Sequence, residues 1–257
     1  MKKLLWALPL PTLILCLWSL AVAQRWLTLI PGPLEVLLAI IDFSFGTLND
    51  DAYSGTLLTH LTASAGRVLG GFACATLLAV PLGVLLARYE RLSRLVEPTL
   101  GVLRPIPVTA WVPLVLIVFG LGSHSAIILI FIGSFFPIFI NTLLGVKRVP
   151  TRLIEAAQML GTGERELLYK VVLPAAVPSV FAGMRIALGL AWVVVVVGET
   201  VGVPNGLGSV ITEAREVSRT EIIITGMLFI GLAGLATDKL LTLLVRRAVG
   251  RSPLLPA

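Results

Sequence analysis

Residues 155–174 read EAAQMLGTGERELLYKVVLP, and this polar stretch decides how the rest of the chain is arranged. Five charged side chains fall within it, yet the apolar runs at 125–146 and 177–200 lie on either side. Each run exceeds the roughly 18 residues needed to cross a bilayer core about 30 Å thick. The polar stretch therefore sits in water while its neighbours sit in lipid, and its contacts there bear on function.

The flanking runs are part of a wider pattern. The 257 residues are 57% hydrophobic and 13% charged, against about 25% charged for a soluble domain. The apolar runs are continuous, whereas a membrane β-barrel shows short segments of alternating polarity. The chain reads as an all-α polytopic membrane protein with about six transmembrane helices, at residues 4–23, 66–87, 100–119, 125–146, 177–200 and 222–245. The last span is diluted by Gly226, Gly231 and Gly234 and interrupted by Asp238-Lys239.

Basic residues collect in alternate connections. Lys2 and Lys3 precede the first span. Arg88, Arg91, Arg94 and Arg104 lie between the second and third, Lys147, Arg148, Arg152, Arg165 and Lys170 between the fourth and fifth, and Arg246, Arg247 and Arg251 after the sixth. The positive-inside rule then puts both termini and the polar stretch in the cytoplasm. It also accounts for the net charge of +6 without a nucleic-acid partner. Lys2-Lys3 and Ala21-Val22-Ala23 also fit a secretory signal, but an apolar run of about 20 residues exceeds the usual 7–15-residue signal core. An uncleaved first span is expected. Residues 24–65 read as an external loop with a short interfacial helix, and Cys16 and Cys74 as small hydrophobes within apolar runs. Without repeats or low-complexity tracts, residues 1–257 form a single domain.

Within the polar segment, Pro150 suits the first helical position, where its missing N–H costs nothing. Leu153, Ala156, Ala157 and Leu160 form one apolar stripe. Gly161 suits a helix C-terminus, because it tolerates positive φ. Thr162 is placed to cap a second helix that opens with Glu164 and Glu166 and ends at Leu173-Pro174. The result is a helix–glycine–helix elbow. Ala156 and Ala157 leave a flat face beside Glu155, whose carboxylate could meet a partner arginine. Two readings stay open on these residues alone: a docking face, or an amphipathic connector on the membrane surface.

Glu155-Ala156-Ala157, Gly161 and Leu173-Pro174 resemble the EAA loop of permease subunits of binding-protein-dependent ABC importers. Leu103-Arg104-Pro105-Ile106-Pro107, Phe136-Pro137-Ile138, Asn141-Thr142, residues 183–189 (GMRIALG) and Ala191-Trp192 resemble the nitrate/sulfonate/taurine/bicarbonate branch. The likeness covers roughly residues 60–245. It implies a type I ABC importer transmembrane domain (MetI-like) in a bacterial inner membrane. It also implies a permease homodimer, two ABC ATPase subunits and an extracytoplasmic substrate-binding protein. Glu155, Ala156, Ala157 and Gly161 would be the ATPase-coupling residues, within a coupling loop at 150–174. The cargo implied is a small anion moved by alternating access, although some relatives carry neutral vitamin or pyrimidine precursors. Residues 203–208 keep the branch's Gly-Leu-Gly but depart from it at Val203-Pro204-Asn205.

The chain carries no G-x-x-x-x-G-K-[ST] loop and no Gly-Lys dipeptide, so P-loop ATP hydrolysis belongs to a partner. No cofactor or metal site is expected, and His60 and His124 read as solvated loop or interface histidines. Charges inside spans are costly and mark candidate pathways. Arg185 lies about eight residues, ~12 Å, into the fifth span. It is expected to face the dimer interior, or else to be held in a structural pair or to snorkel to the inner headgroups. Glu199 is expected to line the outer mouth, and Arg67 to anchor at the outer interface. Pro105, Pro107 and Pro113 predict a bent entry into the third span. An ion-coupled secondary transporter, the alternative class, would need coupling carboxylates within the spans. Only Glu199 and Asp238 approach that role.

Overall fold

In lipid every backbone polar group must be satisfied within the segment, so continuous apolar runs fold as helices. A computed structural model of the protein describes residues 9–24 and 29–249. Among these residues every regular element is helical: α1 (Pro9–Ala23), α2 (Pro33–Phe45), α3 (Leu57–Arg88), α4 (Glu90–Leu103), α5 (Val108–Phe119), α6 (Ser123–Lys147), α7 (Thr151–Met159), α8 (Glu164–Leu167), α9 (Leu173–Glu199), α10 (Leu207–Glu216) and α11 (Thr220–Val249). Four stretches are long and apolar enough to cross a membrane: Leu57–Arg88, Ser123–Lys147, Glu164–Glu199 and Thr220–Arg247. α1 is the described part of the first predicted span. Residues 4–8, Lys2, Lys3 and Arg251 lie outside the described residues.

The third predicted span, 100–119, is not one helix. α4 and α5 meet at a 95° bend across residues 104–107. Pro105 and Pro107 supply no N–H to an intrahelical ladder, and each disfavours helical geometry in the residue before it. The bend was expected; the amphipathic α4 ahead of it was not. The fifth span also departs from expectation. Pro174 does not end a helix, because Leu168–Val172 form a π-helical turn in which the Leu173 N–H donates to the Leu168 carbonyl. That wider turn accommodates a proline two residues on, and helix continues from Glu164 to Glu199.

The chain divides into two compact units, one drawn from residues up to Ser64 with Pro204–Gly231, the other from Ala65–Val203 with residues from Leu232 onward. In the first unit, α2 ends at Gly46 (φ 65°), and the Gly46 and Gly55 amides both donate to the Asp42 carbonyl. The Asp42 carboxylate accepts from the Leu48 and Asn49 amides at 2.9 and 2.8 Å and from the Ser54 hydroxyl at 2.7 Å. Those donors, Ser54 foremost, hold the Asp42 carboxyl below the usual carboxylate value. Burial pushes Asp51 up, but the Tyr53 amide and the Arg219 guanidinium outweigh it, and its carboxyl also ends low. Arg219 pairs with Asp51 at 2.9 Å and with Glu221. His60 is no solvated loop residue: it stacks on Phe43 with centroids 6.2 Å apart, and its Nδ1 accepts the Gly206 amide at 3.0 Å.

A carboxyl whose pKa is lowered by folding stabilises the fold above its unfolded value, and that contribution fades as pH falls through the lowered value. The loop 46–56 is therefore expected to resist limited proteolysis equally from pH 8 to about 5 and to open only below about pH 4. Ser54→Ala should raise that onset. An onset near pH 6 in the unaltered protein would contradict the hydrogen-bonding scheme.

In the second unit, α6 and α9 pack antiparallel along their length through small residues. Ala126 faces Gly198, Asn141 faces Gly183, and Gly145 faces Ser179. Close approach of this kind is how membrane helices gain contact where lipid gives no hydrophobic drive. Buried residues of the two helices include Ile130, Ile138, Ala187, Leu188, Ala191 and Val195, with Ile130 against Gly71 of α3.

Candidate functional site: an exposed elbow and two intramembrane ion pairs

The first helix of the polar segment runs over Thr151–Met159, and Pro150 stands one residue before it rather than inside. Gly161 ends it with φ 79°. The Gly161 amide donates to the Gln158 carbonyl at 2.9 Å and the Thr162 amide to the Ala157 carbonyl at 3.1 Å. This paired closure satisfies the last carbonyls of the helix and depends on a left-handed residue at Gly161. Thr162 is not the cap of the following helix: Gly163 holds that place, with no side-chain cap.

The apolar stripe does not form a core. Ala157 is buried, but Ala156 and Glu155 are exposed, and Met159 and Leu160 are 89% and 87% exposed. Glu155, Ala156, Ala157 and Gly161 thus lie in one elbow whose outer surface is part acidic and part apolar. Arg88 at the end of α3 reaches Glu164 at 3.1 Å. Glu164 is mostly exposed, so the pair contributes little stability. Behind it a cavity of about 470 Å³ is lined by Val80, Val84, Tyr89, Leu168 and Leu173 among others. Gly161→Ala is expected to destabilise the elbow by about 1 kcal/mol, since a Cβ is disfavoured at this φ. Exchange of the Thr162 amide should quicken, and exchange as slow as in the parent protein would refute the closure.

Arg185 and Glu199, the candidate pathway residues, are not brought together. They stand 14 residues apart on α9, ~21 Å along a helix. Each is held by a charge from another helix. Arg185 makes a bidentate pair with Asp238 of α11, at 2.7 Å from Nε and 2.6 Å from Nη2. Arg185 and Asp238 keep side-chain exposures of 47% and 30%. Two helical turns away, the Trp192 indole N–H donates to the Thr237 hydroxyl at 2.9 Å. Glu199 is 1% exposed and accepts from Arg67 Nη1 at 2.6 Å, while Arg67 Nε reaches the Ser123 hydroxyl at 3.1 Å. Arg67 is therefore a buried partner and not an interfacial anchor. Glu199 is enclosed in this pair rather than displayed at a mouth. These partners lie 53 and 132 residues apart in sequence. The only signal for them was the presence of opposite charges within apolar runs.

Arg104, counted among the basic residues between the second and third spans, sits at the break between α4 and α5. Lys147, which closes α6, pairs with Glu97 at 2.7 Å, and so ties the middle of α4 to the elbow end of α6. Seven residues after Glu97, Arg104 lines a cavity with Ile132, Phe136, Ile140 and Asn141 of α6 and with Ile186 and Leu190 of α9. Those residues occupy the middle of both spanning helices. Arg104 thus stands, exposed, in the α4–α5 connection beside the middle of both spanning helices.

Among proteins of known sequence, residues 79–250 match the family model described as the binding-protein-dependent transport system inner membrane component. A putative ABC transporter permease protein of Methanocaldococcus jannaschii is 42% identical over 240 residues, 93% of this chain and 88% of that protein. A putative aliphatic sulfonates transport permease protein, SsuC of Bacillus subtilis, is 34% identical over 93% of this chain and 84% of its own length. A chain of the MetNI methionine ABC transporter, solved in inward-facing conformations, shares the fold with TM-score 0.59 and 22% identity, over 75% of this chain and 95% of that one. Apolar spanning helices, the elbow between the last-but-one pair and a family match over about two thirds of the sequence agree: this chain belongs to the binding-protein-dependent transport system inner membrane components, a family of multi-pass permease subunits.

Proposed function

We propose that this chain is the permease subunit of an ATP-driven importer that admits a small anion of the sulfonate, taurine, nitrate or bicarbonate type by alternating access. The observation that carries the coupling role is the exposed elbow. A short helix closed by Gly161 holds Met159, Leu160 and Glu155 outward in water, at a water-exposed bend between two spanning stretches. Large apolar side chains so exposed mark an interaction site. Glu155, Ala156, Ala157 and Gly161 are the coupling residues: exposed Ala156 lets a partner approach, Ala157 packs inward behind it, and Glu155 supplies the charge that the partner meets. The partners are two ABC ATPase subunits, a second copy of the permease and an extracytoplasmic binding protein. Residues 1–257 act as one permease domain in the cytoplasmic membrane, with both termini and the elbow on the ATPase side. The absence of a P-loop in the sequence supports an external ATPase.

Glu155→Arg tests the coupling. Like charges set against each other at an interface cost several kcal/mol, so co-purification of the ATPase is expected to fall at least about tenfold. The permease alone should keep its melting temperature. Undiminished ATPase association together with undiminished transport would overturn the assignment.

A further inference from the structure

The break between α4 and α5 opens a cavity of about 450 Å³ beside the middle of the spanning helices α6 and α9, within the second compact unit. α5 has 12 residues, ~18 Å of helix, too short to cross a bilayer alone. Non-helical backbone within a bilayer is tolerated only where it is buried in protein or lines a water-filled cavity. The cavity has two polar corners. Arg104 has no ion-pair partner among the described residues, in contrast to Arg67 and Arg185. Asn141 donates to the Pro137 carbonyl at 2.8 Å, which leaves its amide oxygen and second N–H for other contacts. The remaining walls are apolar: Ile132, Phe136, Ile140, Ile186 and Leu190. A cation at bilayer depth is costly unless water or a counter-charge accompanies it.

We infer that this cavity is a cargo-binding site for an organic monoanion with a short apolar body, its sulfonate or carboxylate held by Arg104 and Asn141 and its tail laid against Ile186, Leu190 and Phe136. The inference rests on the proposed anion-importer function and narrows its cargo. One cation without a counter-charge matches one negative charge. Five apolar side chains stabilise a hydrocarbon tail but offer nothing to nitrate or bicarbonate. Apolar walls with a few placed polar groups are what a small-molecule site requires. Broken spanning helices are where transporters commonly bind substrate. Arg185 is already satisfied by Asp238, so Arg104 is the available anchor.

The test is uptake by proteoliposomes holding the permease, its ATPase and its binding protein, with short alkanesulfonates and alkanecarboxylates set against nitrate and bicarbonate. The organic anions should be taken up in preference. Arg104→Gln should lower their uptake about tenfold or more, the worth of a charge-assisted hydrogen bond, while the complex co-purifies in normal yield. Arg104→Lys should recover part of the loss, and Leu190→Trp should shift preference toward shorter tails. Unchanged uptake in Arg104→Gln, or a wild-type preference for the inorganic anions, would overturn the site while leaving the importer reading intact. If Arg104→Gln does not assemble, Leu190→Trp decides, and an unchanged tail-length preference overturns the site. No ATP-dependent uptake of any anion by the wild type would instead overturn the proposed function, and this inference with it.

Discussion

Replacing Glu199 with alanine is expected to lower the unfolding free energy of the detergent-solubilised permease by about 3–5 kcal/mol, the usual cost of stranding one member of a buried ion pair. Arg67, 7% exposed, would lose the Glu199 carboxylate, its Nε still on Ser123. The pair joins α3 to α9 beside the start of α6, so its loss should loosen three segments together. The compensated variant Arg67→Met/Glu199→Leu should recover most of the stability, because two apolar side chains of similar volume carry no desolvation penalty. A Glu199→Ala protein that melts with the parent would show that the pair is open in solution. A double variant no better than the single would show that the ion pair does more than offset its own burial.

The second large effect is expected at the α6–α9 contact. A Cβ on Gly183 would lie 2.6 Å from the Asn141 Cβ and 2.9 Å from the Pro137 carbonyl oxygen. The carbonyl is backbone, so α6 and α9 must part to admit even one methyl group. Overpacking of this kind typically costs about 1–3 kcal/mol, and Gly183→Ala should lie at the upper end of that range. At Gly189, further along α9, an added methyl group would meet nothing within 4 Å. Gly189→Ala should be neutral or stabilising by up to about 1 kcal/mol, through helix propensity alone. Equal melting temperatures for the two variants would contradict the antiparallel register.

Much of this architecture was legible in the sequence because local physics dictates it. Apolar run length marked the spanning helices, and Gly161 marked the end of the first elbow helix. The π-helical turn at 168–172 was hidden, since Pro174 reads as a terminator unless the preceding turn is known to widen. The geometry of the α4–α5 break was only half visible: Pro105 and Pro107 announced a bend but not its 95° angle. Arg104 was grouped with the connecting arginines, and charge counting could not show that its connection borders a cavity beside the middle of α6 and α9. Arg67–Glu199 and Arg185–Asp238 pair across long sequence separations, and only helix packing could show which intramembrane charges meet.

Energy coupling separates a permease driven by ATP through its elbow from one driven by an ion gradient. Proteoliposomes containing the permease with its ATPase should accumulate anion only when the loaded binding protein is outside and ATP is inside, and Glu155→Arg should abolish that accumulation. Uptake that proceeds without ATP and follows an imposed proton or sodium gradient would contradict the coupling role.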